Sequence, residues 1–241
     1  PKSAEIIKPF LAGRDIKRYQ PLNTSKYLIF FPRGFTNARC PKNNAWKWLK
    51  SEYPSIAAHL EPFQVKGKKR YDQGEYWWEL RACDYYEEFE KPKIIYAEIA
   101  ARGQFVLDEN NYYADTTAYI LGSDSKYLLG ILNSGFWTFL FAQISSTIRG
   151  GFFRWKYQYM FPLPIPVIDF NNASEKASHD QMVALVDQML ALNQKLDRTR
   201  TAHEKELLER QIQTVDKRID QLVYQLYDLT DDEIRIVESR A

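Results

Sequence analysis

Cations and aromatic rings alternate in one segment of this 241-residue chain, directly after a pair of glycines. Residues 149–159 read Arg-Gly-Gly-Phe-Phe-Arg-Trp-Lys-Tyr-Gln-Tyr. Glycine permits positive φ or a close approach of the backbone to a partner. Guanidinium and ammonium groups bind phosphates, and aromatic faces stack on bases or sugars. Because this mixture suits a polyanion better than a packed core, we predict that Arg149, Arg154 and Lys156 contact the phosphates of a nucleic acid. If the segment is a strand, alternation should turn some of its rings inward and leave the others beside the cations.

A second group of cations stands at Lys66, Lys68, Lys69 and Arg70, around Gly67. Cations on a loop can reach phosphates without any sequence preference. We predict this role for all four, and the alternative is an ordinary solvated basic loop.

Three further side chains are candidates for reading base edges. Arg81 follows the pair Trp77-Trp78, and Arg102 and Gln104 flank a predicted turn at Gly103. Arginine matches the O6 and N7 atoms of guanine, and glutamine matches adenine. Arg81 could equally serve a phosphate or a nearby carboxylate.

Motifs for catalysis are absent from the sequence. There is no phosphate-binding P-loop, no Gly-x-Gly-x-x-Gly and no Gly-x-Ser-x-Gly. The carboxylates Glu87, Glu88 and Glu90 lie among aromatic residues and are interpreted as a solvated edge. Cys40 and Cys83 are predicted to be free, buried thiols, and no cysteine or histidine has zinc-site spacing. We therefore predict no catalytic residue, no metal and no cofactor in this chain.

Charge is distributed unevenly although the net charge is only +2. The net charge is +8 over residues 1–60, −1 over 61–160 and −5 over 161–241. This asymmetry is compatible with one polyanion site and equally with plain solvated surface. No apolar run of about 18 residues predicts a membrane span. The chain does not begin with methionine, so we expect a fragment of a longer protein.

The elements that must position these residues are those of an α+β fold with a mixed or antiparallel sheet. Short β-type runs occupy residues 93–99, 105–107 and 118–122. Residues 125–141 read as a buried helix that is broken near 133–135.

Alternating prolines at 162, 164 and 166 predict an extended segment, because proline fixes φ and donates no hydrogen bond. The predicted division is a target-recognition domain at 1–166, a linker at 167–177 and a helical spacer at 178–241.

Apolar residues from Leu185 onwards repeat every three or four positions, which predicts a coiled-coil-like seam. The repeat is lost in a polar stretch, where Thr201 and Glu204 have the spacing of a capping box. We predict two antiparallel helices joined near 198–202. One helix of about 75 Å, at about 1.5 Å per residue, is the alternative.

Five passages together resemble a known family, the TaqI-like C-terminal specificity domain of adenine-specific DNA methyltransferases and type IIG restriction–modification enzymes. The passages are residues 7–19, 89–99, 127–134, 149–166 and 219–234.

The resemblance implies sequence-specific binding of double-stranded DNA by this chain. It also implies a separate N-terminal domain that binds S-adenosylmethionine and methylates a flipped adenine. That catalytic domain, with its Asn-Pro-Pro-Tyr type motif, has no counterpart here, so the chain alone is not expected to be an enzyme. The resemblance also implies that the longer parent protein is in the cytoplasm of a bacterium or archaeon. Some members of the family cleave DNA as well as methylate it.

Two other classes of function remain open. The heptad helices could form a protein-interaction scaffold. The six tryptophans and 16 tyrosines could belong to a carbohydrate-binding module, although the interleaved cations argue against it.

Overall fold

A computed structural model describes residues 2–40, 44–148 and 150–239. The chain forms two compact units by packing. Unit 1 comprises residues 1–10, 24–91 and 111–113, and unit 2 comprises residues 11–23, 92–110 and 114–241. Each unit has its own hydrophobic core.

The strands are short and lie in three small sheets with the orders β2-β1-β6, β5-β3-β7 and β4-β9-β8. Every pairing whose register is resolved is antiparallel, in agreement with the predicted α+β fold. The strands are β1 (Ile7–Leu11), β2 (Tyr27–Ile29), β3 (Lys93–Ala97), β4 (Ile99–Ala100), β5 (Phe105–Asp108), β6 (Tyr113–Ala114), β7 (Ala118–Leu121), β8 (Thr147–Ile148) and β9 (Phe152–Arg154).

The helices of unit 1 are short and follow β2 in the chain. They are α1 (Phe35–Arg39), α2 (Ala45–Glu52), α3 (Pro54–Leu60) and α4 (Gln64–Gly67). Pro54 is the first residue of α3, where its missing N–H group has no helical partner to lose.

Aromatic side chains dominate the core of unit 1. Trp77 and Trp78 are both buried, although alternation along a strand would bury one of two successive side chains. The reason is that their segment is a series of turns and not a strand. Glu79, which follows them, is also buried, and its carboxylate accepts hydrogen bonds from the backbone N–H groups of Gly34, Thr36 and Glu75 at 3.2, 2.9 and 2.9 Å. This carboxylate therefore satisfies donors at the beginning of α1.

One sheet of unit 2 places β3 between β5 and β7, and the sequence had predicted the three strands but not their order. Lys93 and Asp108 face each other at the end of the β3–β5 pair and are fully buried. The Lys93 Nζ atom donates to Asp108 Oδ2 at 2.5 Å, and Asp108 Oδ1 accepts from the backbone of Asn110 at 2.8 Å. The buried charge is thus paired and hydrogen-bonded, as a buried ion requires.

Three helices follow in unit 2: α5 (Lys126–Leu132), α6 (Gly135–Ile144) and α7 (Tyr157–Met160). The break predicted near 133–135 is confirmed, because α5 and α6 meet at a 60° bend. Ser134 caps α6 through a hydrogen bond from Trp137 N at 3.1 Å. Asn133 is buried in the bend and exchanges two hydrogen bonds with the backbone of Phe105.

The C-terminal region is a helical hairpin, α8 (Ala173–Arg198) and α9 (Ala202–Leu226), followed by α10 (Asp231–Glu238). The single-helix alternative is therefore wrong. Thr201 is the N-cap of α9, with its hydroxyl accepting from Glu204 N at 3.4 Å and donating to the Glu204 carboxylate at 2.7 Å. Buried seam residues include Leu185, Met189, Ile219 and Leu222.

We expect Thr201→Ala to lower the free energy of unfolding by about 1 kcal/mol, since α9 loses its N-cap acceptor. Thr201→Ser, which keeps the hydroxyl, should be close to the wild type. Urea denaturation followed by circular dichroism at 222 nm measures both, and equal effects of the two substitutions would contradict the assignment of the cap.

The proline segment is held by two tyrosine side chains of unit 2. Tyr127 donates to Pro166 O at 3.1 Å and Tyr227 donates to Pro164 O at 2.7 Å. The helices α8 and α9 share the core of unit 2 with the sheet, so packing does not separate 178–241 from the preceding residues. The division into 1–166, 167–177 and 178–241 remains a functional prediction.

None of the described helices is by itself long and apolar enough to cross a membrane, and only the bent pair α5–α6 reaches that length and apolarity jointly. Cys40 and Cys83 are both half-buried, whereas the sequence predicted that they would be fully buried.

Candidate nucleic-acid interface

The glycine pair forms the connection of the β8–β9 hairpin. Ile148 pairs with Phe152, and Gly150 and Gly151 have φ values of +90° and +78° between them. Side chains other than hydrogen rarely adopt this left-handed region, so the two glycines allow the chain to reverse within three residues. Arg149, predicted to bind phosphate, lies outside the described residues.

Alternation along β9 and the residue after it divides the side chains between two faces, as the sequence predicted. Trp155 is fully buried, and Phe153 is half-buried. Phe152 and Arg154 are exposed, so they occupy the opposite face. The Trp155 ring stacks on Phe141 with centroids 4.0 Å apart, and its Nε1 atom donates to Ala100 O at 3.1 Å. A buried tryptophan therefore anchors the strand that presents Arg154.

Arg154 keeps its hydrogen-bond donors largely available. Its nearest carboxylate is Glu98, but the distance from Arg154 Nε to Glu98 Oε1 is 3.8 Å, too long for a hydrogen bond. An exposed pair at this separation stabilises little. The guanidinium can therefore turn to an external anion without breaking a strong internal interaction.

Lys156 follows the strand and precedes α7. Its side chain is half-buried, and its neighbours Tyr157 and Phe161 are exposed, with ring centroids 5.3 Å apart. Two cations and three exposed rings thus lie within residues 152–161. Cations bind the phosphates of a nucleic acid, and exposed rings stack on its bases.

The other predicted phosphate contacts belong to unit 1. Lys66, Lys68 and Lys69 are exposed on α4 and the turn after it. Arg70 has an internal role as well, because its guanidinium donates to Trp77 O at 2.9 Å and to Glu79 O at 2.7 Å. These hydrogen bonds stabilise the turns that contain the two buried tryptophans. Contact of these four residues with phosphate stays a prediction.

The three base-reading candidates have different surroundings. Arg81 is exposed in unit 1. Arg102 is half-buried and lines a pocket of unit 2. Gln104 accepts a hydrogen bond from Arg18 N at 2.8 Å, so its carbonyl is engaged within the fold. Base reading by each of them stays a prediction.

A charged cluster beside Arg102 was not predicted from the sequence. Arg18 donates through both terminal nitrogens to the Asp216 carboxylate, which is on α9. Burial lowers the pKa of Arg18 to about 10 and raises the pKa of Asp220, one turn further along the helix. Asp15, the carboxylate three residues before Arg18 in the sequence, lies instead 3.9 Å from Arg14 Nε. No local signal could have found a partner 198 residues away.

No group of histidine, cysteine or acidic side chains that could hold a metal ion occurs within the described ranges.

The chain is similar to a known family of domains, to a known protein and to a solved structure. The family model described as the TaqI-like C-terminal specificity domain matches residues 8–165. The Type II methyltransferase M.XhoI of Xanthomonas vasicola is 26% identical over 122 residues, which are 48% of this chain and 22% of that protein. The structure of the Type IIL restriction–modification enzyme MmeI in complex with DNA covers 98% of this chain with a TM-score of 0.59 and 12% identity. At this identity the likeness shows the fold, and the chain covers 30% of that protein.

Proposed function

The chain belongs to the family of TaqI-like C-terminal specificity domains, and from this membership we propose that it recognises a target sequence in double-stranded DNA. The observation that carries the proposal is the β8–β9 hairpin with Arg154, Lys156 and the exposed rings around them, all within the matched residues. Phosphate contacts position such a protein, and base contacts specify the site.

We further propose that the chain is part of a longer adenine-specific DNA methyltransferase of a restriction–modification system. The chain spans less than a third of the length of the relatives it matches. S-adenosylmethionine and the catalytic motif would belong to a domain N-terminal to it. The proposal includes a type IIG enzyme as the longer protein, because some members of the family also cleave DNA. Such an enzyme would act in the cytoplasm of a bacterium or archaeon.

An interaction scaffold has less support than DNA recognition. The apolar seam that a partner would use, including Leu185, Met189, Ile219 and Leu222, is buried in the core of unit 2. An apolar face already covered by its own chain offers little surface to another protein.

DNA binding by the hairpin is tested with the double variant Arg154→Ala/Lys156→Ala. We expect weaker binding to duplexes of any sequence, and a log–log salt dependence that is flatter by about 0.9 for each phosphate that the protein no longer neutralises. Fluorescence anisotropy with labelled duplex DNA at several salt concentrations measures both quantities.

The matched control is Lys205→Ala/Lys217→Ala, which removes the same charge from exposed positions of α9. It should leave affinity and slope near the wild-type values. Equal losses in the two double variants would mean that only net charge matters and would overturn the assignment of the hairpin.

A further inference from the structure

Unit 2 contains a pocket of about 530 Å³ that the DNA-binding proposal does not use. Its lining includes the Phe139 ring from α6 and the Phe153 ring from β9. Arg102, Gln143 and Asp220 supply polar groups to the same space. Ligand pockets of about 300–1,000 Å³ with apolar walls and few polar groups are the usual sites for small organic groups.

The charges around the pocket balance. Among the described residues that line the pocket, Asp216 is neutralised by its paired hydrogen bonds with Arg18, and the other charged groups are one cation, Arg102, and one carboxylate, Asp220. A net charge near zero favours a neutral ligand over a phosphate or an amine, since either ion would lose its water without compensation.

Asp220 is fixed in place and largely removed from water. Its Oδ1 atom accepts from Gly135 N, at the beginning of α6, at 2.8 Å. Burial nevertheless raises the pKa of Asp220, against the opposing effects of that bond and of Arg18 and Arg102. A ligand N–H group that reached the carboxylate would replace the hydration that burial has removed.

The hairpin connects this pocket to the DNA-binding surface. Phe153 contributes to the pocket, and the next residue, Arg154, lies on the opposite, exposed face of β9. A single strand therefore presents a ring to the pocket and a cation to the outside, which are the groups that bind the base and the phosphate of nucleic acids.

We propose that this pocket binds a nucleobase that carries an amino group next to a ring nitrogen, as adenine and cytosine do. The carboxylate of Asp220 accepts from the amino group, the guanidinium of Arg102 donates to the ring nitrogen, and Phe139 or Phe153 covers the face of the base. The proposal rests on the proposed function, in that the base would come from an unpaired position of the bound DNA.

Binding of the 241-residue wild-type protein to three duplexes tests this proposal: fully paired, with one unpaired adenine, and with one unpaired thymine. We expect about ten-fold tighter binding of the unpaired adenine than of the other two, the size of one good bidentate base contact. Ala142→Phe, which fills the pocket from its α6 wall, should abolish the preference and leave the affinity for paired DNA unchanged. Ala177→Phe, the same change at an exposed position of α8, should preserve the preference.

A second arm uses free adenosine, cytidine and thymidine, with saturation-transfer NMR as the measurement. Adenosine and cytidine signals that disappear in Ala142→Phe, with none for thymidine, support the proposal independently of DNA. A preference that survives Ala142→Phe, or no preference together with no nucleoside signal, overturns the pocket. Failure to bind even paired DNA refutes the proposed function, and the nucleoside arm then still decides about the pocket.

Discussion

Asp108→Asn should lower the free energy of unfolding by about 3–5 kcal/mol, because it removes the carboxylate charge that is paired with the buried ammonium group of Lys93. Both side chains are fully buried, and Nζ and Oδ2 are 2.5 Å apart. The change is isosteric, so packing hardly alters and the loss reports on charge. Urea denaturation followed by circular dichroism at 222 nm measures it.

Two controls separate charge from other effects. Asp124→Asn makes the same chemical change at an exposed position and should have little effect. Lys93→Met/Asp108→Leu removes both charges and should recover much of the loss, because a well-packed apolar pair can replace a buried ion pair. A double variant as unstable as Asp108→Asn would mean that the hydrogen bond to Asn110 and the shape of the site dominate.

Trp155→Ala should also lower the free energy of unfolding by about 3–5 kcal/mol, because it empties a large buried volume. It removes the ring stacked on Phe141 and leaves Ala100 O without its donor. Since Trp155 lies between the two cations of the hairpin, we also expect DNA affinity to fall at temperatures where the protein is still folded. Anisotropy below the thermal transition measures this second effect.

The graded control is Trp155→Phe, which retains an aromatic ring and loses the indole N–H. Its effect should be intermediate. Phe152→Ala, on the exposed face of the same strand, should barely alter stability. A stability loss in Phe152→Ala as large as in Trp155→Ala would contradict the division of faces on β9.

The hairpin could be predicted from its sequence in several respects. The glycine pair indicated that positive φ was possible, and the alternation of residues 152–155 indicated that their side chains divide between two faces. The distance between the side chains of Arg154 and Glu98 could not be predicted, because it depends on the register in which β4 pairs with β9. Similarly, the motif spacing gave no sign that Arg70 donates to the carbonyls of Trp77 and Glu79.

Local patterns in the sequence determined the β3–β5–β7 strands, the break between α5 and α6, the α8–α9 hairpin and its Thr201 cap. These features depend on residues within a few positions of one another, through periodicity, capping and turn geometry. Only the tertiary structure decided the Lys93–Asp108 pair, the Arg18–Asp216 pair and the pocket beside Asp220. These are formed by side chains from elements distant in the chain, and burial gives them their strength by removing water, which no local pattern records.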